Sequence, residues 1–99
     1  MEIKKQADGT TLTIKLIGRL DAVAARGLDK EIGTALNGVK ELIFDLEELS
    51  YVASAGLRVL FVAQKKMNKQ GSMKFLHVRP EVKQIFEVTR FIDFFTIES

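Results

Sequence analysis

Ser54 is the residue of this chain best placed to take part in chemistry. It closes the run Asp45-Leu46-Glu47-Glu48-Leu49-Ser50-Tyr51-Val52-Ala53-Ser54 and precedes Ala55-Gly56-Leu57-Arg58. The run begins as a strand and ends by opening a helix, so Ser54 falls where an N-cap belongs. Its hydroxyl could accept a hydrogen bond from an N–H two or three residues on. A helix start also carries free N–H groups and partial positive charge, which would favour an added phosphoryl group. Ser54 therefore reads as a cap at a helix start whose free N–H groups would suit a phosphoryl group. His77, the only histidine, is expected on a strand in register with Met73 and Phe75, in a core or semi-buried position. With no second histidine and no cysteine, it has no companion for a metal. Neither GxxxxGK[ST] nor GxGxxG occurs, and Glu47-Glu48 read as solvated loop acids. With no acid–base pair in sight, the chain is expected to be a binding protein, not an enzyme, and to use no cofactor.

Composition narrows the partners. The chain has 99 residues, 46% hydrophobic and 28% charged, enough for one domain spanning 1–99 with one modest core. Fifteen basic residues against thirteen acidic ones give a net charge of +2, and they are interspersed, so no nucleic-acid footprint emerges. No apolar run approaches the ~20 residues needed to span a bilayer, so direct membrane insertion is not expected. Met1-Glu2-Ile3-Lys4-Lys5 alternates like a strand, unlike a signal peptide, and the expected location is the cytoplasm.

The elements that must position Ser54 follow from hydrophobic periodicity. Residues 1–6 and 11–17 alternate around Asp8-Gly9 and predict a hairpin with one solvated face. Asp21 is the expected N-cap of a helix over 22–36, with a stripe of Ala24, Leu28, Ile32, Ala35 and Leu36, stopped by Asn37-Gly38. Leu42-Ile43-Phe44 lacks alternation and predicts a strand over 41–46 buried on both faces, followed by a loop over 47–53. A second helix is expected over 55–69 and a strand over 72–78. Pro80 suits the first turn of a helix over 80–89, and Phe94, Phe95 and Ile97 suit a short edge strand. The order is β-β-α-β-α-β-α-β, a mixed sheet of four to five strands with about three helices in an α/β fold. The crossover between the strands at 41–46 and 72–78 is expected to be parallel.

The stretch from Asp45 to Arg58 resembles the STAS domain of bacterial anti-sigma factor antagonists. There a strand ending in Asp-Leu leads through a loop to Asp-Ser-Ser-Gly-Leu-Gly at a helix start. Gly18-Arg19-Leu20-Asp21, Asp45-Leu46, Tyr51-Val52, Gly56-Leu57 and the closing amphipathic helix extend the likeness over almost the whole chain. The resemblance implies binding to an anti-sigma factor that is also a serine kinase. That kinase phosphorylates a serine at the helix start, and a phosphatase reverses the step. This chain departs from the pattern: the phosphoacceptor position falls on Ala55, the preceding Asp on Ala53, the Gly after Gly-Leu on Arg58, and a Gly common near the last helix on Thr89-Arg90. Ser54 is then the remaining acceptor candidate. A STAS accessory subunit of a transport assembly, or a sensor of a nucleotide or other small ligand, is the alternative. On the second helix, Leu57, Leu60, Ala63 and Met67 should face the core, with Phe61 at their edge. Arg58, Val62, Lys65 and Lys69 should lie outward as a basic-rimmed contact face for an acidic partner. With Asp21, Ala53, Ser54, Ala55 and Gly56, these are the expected partner-binding residues.

Overall fold

The computed structural model describes residues 1–98. The elements run β1 (Glu2–Asp8), β2 (Thr11–Leu20), α1 (Ala22–Ala35), β3 (Glu41–Val52), α2 (Ser54–Gln70), β4 (Ser72–Leu76), α3 (Pro80–Val88), a 3-10 turn at Phe91–Asp93, and β5 (Ile97–Glu98). They build one five-stranded sheet in the order β1-β2-β3-β4-β5. The β1–β2 hairpin is antiparallel, and every later pair is parallel. The α/β fold and element order are those read from the sequence.

The hairpin closes through Gly9-Thr10 with Asp8 opposite Thr11, and Gly9 takes a φ of 62°, which glycine adopts without strain. Along the sheet, Leu12, Ile14, Leu16, Leu42, Phe44, Met73 and Phe75 are buried under the helices. The opposite face carries half-buried Thr13, Lys15, Ile43, Asp45 and Lys74. That corrects the expectation for β3. Ile43 is not buried on its second face, because all three helices pack on one side and leave the other to water.

The expected loop over 47–53 is instead strand. β3 runs on to Val52, and its pairing with β2 slips between Lys15 and Ile17 and again between Gly18 and Arg19. Each slip sets one extra β3 residue against β2, as a bulge does. The buried residues are consequently Leu46, Leu49 and Val52, three apart instead of two. A period of three hides a strand from any search for alternation.

Asp21 caps α1 as expected, its carboxylate accepting from the Ala24 N–H at 2.9 Å. Ala25, rather than Ala24, joins Leu28 and Ile32 in the buried stripe. α2 ends at Gly71, where a Cβ would stand 1.9 Å from the Lys40 carbonyl oxygen, so only glycine fits. Gln70 reaches back to donate to the Leu36 and Val39 carbonyls at 2.6 and 2.7 Å, tying the end of α2 to the loop after α1. Pro80 opens α3, and Phe86 packs on Phe75 and Phe95, pinning that helix to the sheet.

Candidate functional site

The ends of β2 and β3 place the start of α2. The Ala53 N–H donates to the Leu20 carbonyl at 2.8 Å, which continues the parallel ladder into the strand–helix junction. Ala53 is extended (φ −82°, ψ 167°) and its carbonyl accepts from the Leu57 N–H at 3.0 Å. The N-cap is thus Ala53, without a side-chain cap bond, which corrects the reading of Ser54 as cap. Ser54 is the first residue of the helix, and its side chain is exposed. The extension of β3 causes the shift, because strand pairing holds the chain extended through Ala53.

Gly56, expected on the contact surface, is buried. A Cβ there would come within 2.6 Å of the Leu20 side chain. Its role is to let α2 settle onto the end of β2, which raises Ser54 and Arg58 to the surface. Ala53 and Ala55 are half-buried beside them, and Asp21 is exposed at the neighbouring start of α1.

Two clefts flank this helix start. One, of about 340 Å³, lies between α1 and α2 and includes Ala22, Ala25, Arg26 and Asp29. The other, of about 380 Å³, lies between α2 and α3 and includes Tyr51, Leu57, Ile85 and Phe91. Ser54 and Arg58 border both, so they stand on the ridge between them. From the ridge an exposed stripe continues along α2 through Val62, 37% exposed, to Lys65 and Lys69. Among the described residues, none of Arg58, Lys65 and Lys69 has an ion-pair partner. The second cleft escaped the sequence reading. Ile85 carries no local mark of a cleft wall, and Tyr51 shows its signal only once β3 is known to have a period of three.

His77 lies apart from this ridge. It is exposed, beyond the end of β4, with a φ of 57°. That corrects its expected place in the strand interior. β4 stops at Leu76 because its partner β3 turns away at the first bulge, just after Asp45. Among the described residues, no group of three or more His, Cys, Asp or Glu side chains forms a metal site. No helix there is long and apolar enough to cross a membrane.

Comparison with known proteins bears on the same region. The STAS domain model matches residues 2–99. BtrV of Bordetella bronchiseptica, assigned as an anti-sigma factor antagonist, is 30% identical over 86 residues, covering 85% of this chain and 74% of BtrV. The crystal structure of an anti-sigma factor antagonist from Mycobacterium paratuberculosis superposes with a TM-score of 0.86 at 20% identity, over 97% of this chain and 83% of that one. The phosphorylated form of SpoIIAA, a Bacillus cell fate determinant, gives a TM-score of 0.77 at 20% identity, over 99% of this chain and 92% of its own.

Proposed function

The chain belongs to the STAS domain family, and from that premise we propose that it is an anti-sigma factor antagonist. It binds an anti-sigma factor with serine kinase activity in the cytoplasm and has no catalytic role of its own. The observation that carries the reading is the exposure of Ser54 on the ridge between two clefts, at the first position of α2. Asp21, Ala53, Ser54, Ala55, Arg58, Val62, Lys65 and Lys69 form the contact surface, while Gly56 supports it from beneath.

Ser54 is the phosphoacceptor in this reading, since Ala55 has no hydroxyl. A phosphoryl group on Ser54 would find the free N–H groups of the first helical turn. It would also place a charge of about −2 in the contact surface, adding desolvation cost and repelling acidic groups of the partner. A phosphatase would restore binding.

Calorimetry with the anti-sigma factor encoded by the same genome tests this. Wild type is expected to bind, and Ser54→Glu to weaken binding by about tenfold or more, equivalent to about 1.4 kcal/mol. After incubation with that kinase and ATP, intact mass should show one added phosphoryl on wild type and none on Ser54→Ala. Absence of binding at low salt would overturn the antagonist reading. Binding with no added phosphoryl would remove the switch and leave the antagonist.

A further inference from the structure

We infer that the cleft between α2 and α3 seats an acidic, amphipathic segment of the protein partner. The inference rests on the antagonist reading and extends the contact surface from the ridge toward α3. The cleft has an apolar lining of Val52, Leu57, Ile85 and Phe91, and no carboxylate lines it. Apolar surface continues out of it, since Phe91 meets Phe61 and Phe61 meets Phe94, at centroid distances of 5.7 and 5.2 Å. Phe94 is 58% exposed, an unusual place for so large a ring.

Charge selects the occupant. The strand lysines Lys4, Lys5, Lys15 and Lys74 each reach a glutamate. The cations around the cleft reach none among the described residues. Arg58 borders the cleft, and the Arg19 guanidinium lies 4.4 Å above the ring of Tyr51 in its wall. Lys65 Nζ stands 5.7 Å from the Phe61 centroid, and Arg90 immediately precedes Phe91. An apolar floor under an unneutralised basic rim fits a helix or turn that presents apolar side chains flanked by Asp or Glu.

Arg90 adds an independent sign. It holds a φ of 66°, in the left-handed region that glycine occupies freely and a side-chain-bearing residue occupies at a cost. An arginine kept in a glycine's conformation between Thr89 and Phe91, both of which line the cleft, is a local sacrifice of the kind found at binding sites.

Arg90 also makes the inference testable apart from folding. Arg90→Gly is expected to melt at or above the wild-type temperature, yet to bind the same anti-sigma factor about tenfold more weakly. Ile85→Lys, with its fold checked by circular dichroism, should lose affinity to a similar extent. Wild-type affinity in both variants, while Ser54→Glu still weakens binding, would overturn the cleft and leave the antagonist reading standing. If wild type itself fails to bind, the antagonist reading falls and the cleft falls with it.

Discussion

His77 Nδ1 sits 3.0 Å from Asp45 Oδ1, across the ends of β4 and β3. Asp45 also accepts from the Glu47 N–H at 3.1 Å, at the first bulge of β3. The Asp45 hydrogen bond, then its charge, raises the His77 imidazole above its ordinary 6.5. Burial pushes the Asp45 carboxyl up, but the hydrogen bonds from His77 and the Glu47 N–H outweigh this and hold it below 3.8. A raised histidine stabilises the fold fully below pH 6.5, and that contribution fades as pH rises through its folded value. A lowered carboxylate stabilises above pH 3.8, and that contribution fades as pH falls through its folded value. The pair is therefore strongest between those limits. An NMR titration should place the His77 midpoint above 6.5, and Asp45→Asn should bring it down. An Asp45→Asn midpoint equal to wild type would refute the pairing.

At the level of elements, the helix ends and interiors respond to glycine in opposite ways. A Cβ at Gly71 would overlap the Lys40 carbonyl oxygen, where the Ser72 N–H also donates to that oxygen at 2.9 Å. Gly71→Ala must push apart the end of α2 and the entry to β3, and a loss of about 2–3 kcal/mol is expected. Gly27 and Gly33 lie inside α1 with nothing within 4 Å of a built Cβ. Each change to alanine should raise stability by about 0.5–1 kcal/mol, since alanine loses less backbone freedom on folding. Urea unfolding of the three variants decides these signs. Destabilisation by Gly33→Ala would mean that α1 has an unseen neighbour at that face.

Across the whole molecule, the helices share one side of the sheet, and a chain of rings locks α3 there. Phe44 stacks on Phe75 at 5.5 Å, and Phe75 meets Phe86 and Phe95 at 5.5 and 4.8 Å. The cluster joins β3, β4, α3 and the turn before β5, and so fixes α3, whose Ile85 lines the α2–α3 cleft. Phe86 is fully buried, and Phe86→Ala should cost about 3–5 kcal/mol in urea unfolding. A cost below about 1 kcal/mol would show that α3 is not held by this contact.

The amino-acid sequence by itself determined the element order, the cap at Asp21, the place of Pro80 in the first turn of α3, the stop at Asn37-Gly38, and the outward stripe of Arg58, Val62, Lys65 and Lys69 on α2. These follow from local rules, because helical periodicity, capping and turn chemistry depend on residues a few positions apart. Only the tertiary structure decided where the site begins and how wide it is. Two slips in the pairing of β2 with β3 lengthened β3 to Val52, moved the cap from Ser54 to Ala53, and exposed Tyr51 beside Val52. The close fit of Gly56 on Leu20 and the docking of α3 through Phe86 then set the two clefts on either side of Ser54. Register and packing depend on partners more than thirty residues away in the chain, such as Leu20 and Ala53, and no local pattern encodes that distance.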